Sequence, residues 1–290
     1  MPKRAAGKIL ITLLISASLL ACGDDIVNNY YNNYYNSDSS VATSSSSSSS
    51  SSSDQQTGGE ASGAVDWVFM LYIAADNNLS TAASGDINEL KASALAGSKV
   101  RVIALVDHSG DNNSYLYEIK NGKTYPLTSR ELGLPGTDTV GEVNTGSPQT
   151  LTNFIHFVKQ NYAATNYALV LWNHGGGWKA PDLKGTPAAN DRESTLTKNI
   201  CWDDTSGSNL GNDMLQKALM GRGIKLLCMD ACLMGMVETA YELRTQVTGI
   251  ESLVFSQETV PGTGYPYTAI MNDILSEKNM SVSNLAAIIV

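Results

Sequence analysis

Basic charge and cysteine are both scarce in this chain, and each shortage removes a class of function. Its 290 residues hold 19 Lys and Arg against 28 Asp and Glu, a net charge of −9. That balance argues against nucleic-acid binding, because no surplus of cations exists to displace counterions from phosphates. An anionic membrane surface is disfavoured for the same reason. Four cysteines are too few for a disulfide scaffold at this size. No apolar run reaches the ~20 residues that a bilayer core requires. What is present, 290 residues with 42% hydrophobic and 16% charged, suffices for one good-sized domain, or two small ones, with a real core.

The composition changes sharply along the chain. Lys3, Arg4 and Lys8 precede a short apolar run from Ile9 to Leu20, the layout of a secretory signal peptide. The run ends Leu19-Leu20-Ala21-Cys22, which resembles the bacterial lipoprotein box. That resemblance implies a signal over residues 1–22, a lipidated Cys22, and acyl chains as the protein's membrane contact, each buried CH₂ contributing about 0.8 kcal/mol. Residues 23–64 are Asn/Tyr-rich and then serine-rich. Such a segment buries too little apolar surface to offset its chain entropy, and reads as a disordered tether. The expected location is outside the cytoplasm, on the bacterial cell envelope.

Order is expected from residue 65 to residue 290. Val68–Ala74 and Val100–Val106 are apolar runs of strand length, and Ala82–Ala96 between them reads as helix. Tyr115–Lys120 alternates, as an edge strand does. Ser147-Pro148 offers an N-cap followed by Pro at the first helical position. Leu151, Phe154, Ile155 and Val158 follow at helical spacing. Tyr167–Trp172 is a third strand, Leu210–Leu219 a short helix and Ile224–Met229 a fourth strand. Leu233–Leu243 reads as a helix without a breaker, and Gly249–Phe255 as a further strand. The chain stops at Val290 in an apolar, helical stretch, which reads as a truncated domain. Strands alternating with helices predict an α/β fold with a mostly parallel central sheet flanked by helices. Ligand sites in such folds lie at the carboxyl ends of the strands.

Two of those ends carry reactive side chains. The third strand runs into Asn173-His174-Gly175-Gly176-Gly177, and the fourth into Asp230-Ala231-Cys232. A thiol attacks only as thiolate, so it needs a base, and a histidine can take its proton and later deliver it to a leaving amine. Cys232, at a turn entering a helix, is also expected to gain from the helix dipole. The glycines let backbone N–H groups approach a substrate carbonyl, as an oxyanion hole requires. Either residue alone has a bland reading as a packed side chain; their placement on successive strand ends is far more specific. Caspase-type enzymes likewise put His roughly 50 residues before Cys.

Five blocks together resemble the clostripain family of cysteine peptidases. They are Trp67 to Leu79, Gly141 to Gly146, Leu171 to Trp178, Asp230 to Met234, and Glu238 to Leu243. The resemblance implies a caspase-like fold and cleavage after Arg or Lys, with His174 as base, Cys232 as nucleophile and the Gly175 backbone in the oxyanion hole. It makes Asp230 the acidic residue of the S1 pocket and puts Asn77 in its lining. A carboxylate there is physically apt, since a buried guanidinium or ammonium needs a paired charge. Glu258, after the last strand, is a second acidic candidate for that rim.

The resemblance also implies self-cleavage between His and Cys, with Lys179, Lys184, Arg192 and Lys198 as candidate sites in the polar stretch 179–198. No cofactor is required by the residues themselves; the resemblance admits calcium, for which Asp203-Asp204 is a candidate, although paired Asp in a turn are more often solvated. The expected partners are peptides or proteins with Arg or Lys at the cleavage site. His108, His156, Cys201, Cys228, Trp172 and Trp178 read as structural. The rival function is a surface-displayed binding module that keeps the fold without activity, and a weaker rival is a transpeptidase using the same dyad. The intact His174 and Cys232 speak against the first.

Overall fold

The computed structural model describes residues 65–93, 95, 99–134, 141–177, 199–243 and 249–290. Cys22, the signal and tether segments, Trp178 and the 179–198 stretch lie outside these residues. The centre is a seven-stranded sheet. Its strands are β1 (Val65–Ala75), β2 (Val100–His108), β3 (Ser114–Lys120), β4 (Lys123–Pro126), β5 (Ala164–Trp172), β8 (Leu226–Asp230) and β9 (Ser252–Phe255), in the spatial order β4-β3-β2-β1-β5-β8-β9. β1, β2, β5, β8 and β9 pair in parallel, while β3 and β4 are antiparallel. A small hairpin, β6 (Asn199–Asp203) with β7 (Ser208–Gly211), forms a separate two-stranded sheet.

β1 shows why the sheet is covered on both faces. Every residue from Trp67 to Ala75 is fully buried, and with side chains alternating sides, both sides must meet a core. Val68, Met70 and Tyr72 join one core, against α2 (Pro148–Asn161), α3 (Asn212–Leu219) and α4 (Val237–Leu243). Trp67, Phe69, Leu71 and Ile73 join the other, against α1 (Ser80–Ala92), α5 (Tyr267–Ser276) and α6 (Val282–Ile289). The α/β fold with a mostly parallel sheet is thus as expected. Ser147 caps α2, its side chain accepting from the Gln149 N–H, with Pro148 opening the helix.

Two local expectations are corrected. β3 is not the edge strand: β4, a short polar segment with no apolar alternation, pairs outside it. The hairpin β6–β7 and helix α5 were not foreseen. Most consequentially, Leu233–Leu243 is not one helix. Only Val237–Leu243 is helical, because the backbone before it pairs elsewhere: the Leu233 N–H donates to Glu258 O (3.1 Å) and the Gly235 N–H to Ser256 O (2.7 Å). Cys232 therefore does not sit at the N-terminus of α4, as the expected dipole effect required.

Candidate active site

Strand order alone assembles the site. β1, β5 and β8 are neighbours in register, Ile73 beside Trp172 and Trp172 beside Asp230. The residues following each strand therefore emerge side by side: Asp76-Asn77-Asn78, then Asn173-His174-Gly175, then Ala231-Cys232. The chain turns from β1 towards β2 on one side and continues with β5, β8 and β9 on the other, so the topological switch point lies between the β1 and β5 turns, with the β8 turn beside it.

The turns carrying His174 and Cys232 are packed backbone to backbone. A Cβ placed on Gly175 would collide with the Cys232 carbonyl oxygen, so only glycine permits this approach. Gly175 also bridges to Ile200 of β6, and the Gly176 N–H donates to Asn199 O at 3.0 Å. The half-buried Cys232 Sγ accepts from the Val260 N–H at 3.3 Å, which fixes the sulfur beside the segment after β9. Leu233, next in the chain, holds φ +60. A left-handed conformation costs a non-glycine residue on the order of 1 kcal/mol, and such strain gathers at functional turns.

His174 Nε2 lies 2.8 Å from Asn78 Oδ1, and its ring meets the Trp202 ring edge-on at 6.5 Å. Burial pushes the imidazole below its usual pKa, with the Asp204 carboxylate acting in the opposite direction. Neither Asn78 nor Trp202 was singled out from the sequence. Asn78 lay in a recognised block but was indistinguishable there from Asn77, and a lone Trp in a short strand carries no signal.

Asn77 is buried, and its amide is committed to the main chain, donating to Ala74 O (3.2 Å) and Trp202 O (2.9 Å) while Oδ1 accepts from the Leu79 N–H (2.9 Å). It braces the turn that presents Asn78. Asp230 is buried at the end of β8, its Oδ2 accepting from the Tyr265 N–H and the Tyr267 hydroxyl, each at 3.0 Å. Asp86 of α1 faces the same spot: Oδ2 of both carboxylates lies about 3 Å (2.9 and 3.0 Å) from where a Gly264 Cβ would be. Burial, opposed by a hydrogen bond from Trp172 and reinforced by Asp230 and Glu89, raises the Asp86 pKa to about 7. Glu258 is exposed, next to the Cys232 turn through its own carbonyl.

The other candidates sit elsewhere. His108 ends β2, with Ser80 Oγ 3.0 Å from Nδ1, and His156 lies on the exposed side of α2 with Glu131 at 3.1 Å. Cys201 and Cys228 are fully buried free thiols in opposite cores. Burial pushes both thiols well up. They act as packed side chains.

A second acidic group lies behind the Asn77–Asn78 turn. Asp76, Asp107 and Glu142 each place a carboxylate oxygen within 4.8 Å of the others. Thr145 Oγ1 stands between Asp107 Oδ2 (3.0 Å) and Asp203 Oδ2 (3.3 Å), bringing in a fourth carboxylate. Burial lifts Asp107 to about 8, the hydrogen bonds from Ser114 and Thr145 opposing and Asp203 and Glu142 adding to it. Glu142 Oε1 is buried without a hydrogen-bond partner. A hard, all-oxygen donor set with one unsatisfied oxygen fits a calcium ion. The adjacent pair Asp203-Asp204 is split: Asp203 faces this group, while the Asp204 N–H donates to Asp76 O at 2.8 Å and its carboxylate acts on His174.

A profile of the clostripain family matches residues 71–290, the span that holds both reactive turns. The chain belongs to the clostripain family. Clostripain of Hathewaya histolytica is 33% identical over a 227-residue alignment that covers 71% of this chain and 41% of that protein. A secreted C11 cysteine protease from Bacteroides thetaiotaomicron, solved with an irreversible peptide inhibitor, has a TM-score of 0.57 at 22% identity, over 76% of this chain and 56% of its own. An inactive zymogen C11 protease from Parabacteroides distasonis gives 0.53 at 26% identity, over 78% and 58% respectively. The chain spans less than two thirds of each of these clostripain-family relatives.

Proposed function

We propose that this clostripain-family protein is an exported, lipid-anchored cysteine endopeptidase that cleaves after Arg or Lys. The observation that carries the reading is the glycine-only contact between the His174 and Cys232 turns at the carboxyl ends of β5 and β8, next to the sheet's switch point. In the proposed reaction, His174 takes the Cys232 proton as sulfur bonds to the scissile carbonyl carbon. The carbonyl electrons move onto oxygen beside the Gly175 N–H, then return as the C–N bond breaks and His174 protonates the leaving amine. Water then releases the acyl group from sulfur. Asp230, with Glu258 at the rim, supplies the negative charge for a basic P1 side chain.

Two further roles belong to the same reading. Lys179, Lys184, Arg192 and Lys198 are the candidates for self-cleavage. Asp76, Asp107, Glu142 and Asp203 would hold a calcium ion, whose charge would offset theirs and brace the turn carrying Asn78.

The test compares the full chain with its Cys232→Ala variant on fluorogenic peptides ending in Arg, Lys, Ala or Asp. Cleavage of the Arg or Lys peptides by the wild type alone is expected. Activity surviving in Cys232→Ala removes the nucleophile assignment. Silence towards every peptide, even after limited trypsin treatment, favours the binding module.

A further inference from the structure

We propose that Asn78 is a positioning residue for His174, fixing the ring's tautomer so that Nδ1 is the atom that takes the Cys232 proton. The proposal deepens the dyad reading above and rests on it. Its basis is the 2.8 Å contact between His174 Nε2 and Asn78 Oδ1. A carbonyl oxygen can only accept, so Nε2 must carry the hydrogen and donate it, and the lone pair is left on Nδ1.

The contact is built into the fold on both sides. Asn77 locks the turn: its amide reaches Ala74 O and Trp202 O, and its own N–H donates to Ala75 O at 2.7 Å. Asn173, immediately before the histidine, donates to the same Trp202 carbonyl at 3.0 Å. One carbonyl oxygen thus ties the strand end that presents Asn78 to the strand end that presents His174. The Trp202 ring then closes on the imidazole edge-on, so the ring is held by a hydrogen bond at one nitrogen and by an aromatic wall.

During acylation the S–H bond breaks and an Nδ1–H bond forms, giving an imidazolium that keeps its Nε2–H on Asn78. When the amine leaves, the Nδ1 proton goes with it and the lone pair returns to Nδ1. Nε2–H is never exchanged, which is the use of an acceptor that cannot donate. Asn78 is neutral, so it orients the ring without drawing it towards the cationic form. Asp204, just after β6, is the charged group acting on the ring, and Cys232 is the titratable group on the turn packed against it.

The experiment has two arms, both on the full chain. In the first, Asn78→Ala and Asn78→Asp are compared with wild type on an Arg peptide across pH. Asn78→Ala is expected to lower kcat by up to about a hundredfold with KM little changed, since misaligning a reacting group costs on that order. Asn78→Asp should restore most of kcat and move the pH–rate profile to higher pH by about one unit, because a carboxylate favours the protonated ring. Unchanged kcat in Asn78→Ala, or an unmoved profile in Asn78→Asp, overturns the proposal.

In the second arm, ¹⁵N NMR of His174 in the Cys232→Ala protein reads the tautomer without turnover. Hydrogen on Nε2 is expected, with a mixture appearing once Asn78→Ala is added; hydrogen on Nδ1 overturns the proposal. If Cys232→Ala retains activity, the dyad reading has failed instead. The two failures are therefore told apart.

Discussion

At the scale of single residues, the buried carboxylates govern the pH response. Asp86 is buried on α1 with its pKa raised to about 7, chiefly by burial. In the unfolded chain an aspartate titrates near ~4. Between those values the folded protein holds a proton that the unfolded chain has released, so stability falls as pH rises through that window. Asp86→Asn keeps an acceptor for the Trp172 N–H, which donates to Asp86 Oδ2 at 2.7 Å, and removes the charge. Its melting temperature is expected to exceed wild type by a few degrees at pH 7.5, with the gap closing towards pH 4. Thermal melts at the two pH values decide it, and a gap that widens at low pH refutes the burial argument.

At the scale of elements, the site depends on two turns rather than on two side chains. The His174 turn follows β5, the Cys232 turn follows β8, and Gly175 is where they touch. A methyl group there has to displace the Cys232 carbonyl, whereas the strands below are joined by a full ladder of hydrogen bonds and will not part. Gly175→Ala is therefore expected to leave the circular-dichroism spectrum unchanged and lower kcat/KM for an Arg peptide by about a hundredfold or more. Near-normal activity would show that the two turns need not be in contact. The same scale explains which elements were legible. β1, β2 and β5 are continuous apolar runs, and α2 has its Ser147-Pro148 start signal, so their sequences suffice. β4 and β6–β7 are short and polar, and only their partners make them strands. The stretch from Leu233 to Met236 reads as helix, yet the Leu233 and Gly235 N–H groups find acceptors on the chain beyond β9, and long-range pairing overrides propensity there.

At the scale of the whole molecule, one group of carboxylates gathers beside the site. Three buried carboxylates, Asp76, Asp107 and Asp203, and the half-buried Glu142 lie at the same end of the sheet as the reactive turns. Like charges at such distances repel strongly out of water. A bound cation would offset that repulsion only in the folded state, and so raise stability by mass action. Calcium at millimolar concentration is expected to raise the melting temperature relative to EDTA. Glu142→Gln should reduce that rise, since it removes a donor charge while retaining the shape. Equal melting temperatures with calcium and with EDTA in the wild type would exclude the site. Isothermal calorimetry gives the same answer without heating.

The sequence by itself determined the α/β class, the parallel strands buried on both faces, the cap of α2 and the positions of His174 and Cys232. Each of these is a local pattern: a run, a spacing, a residue type beside a strand end. Only the tertiary structure decided that Asn78 rather than Asn77 faces the imidazole, that Cys232 lies on a left-handed turn outside any helix, and that Asp86 meets Asp230. Those facts come from strands brought together by pairing across distant parts of the chain. No local pattern encodes which of two adjacent asparagines a turn will direct towards its neighbour.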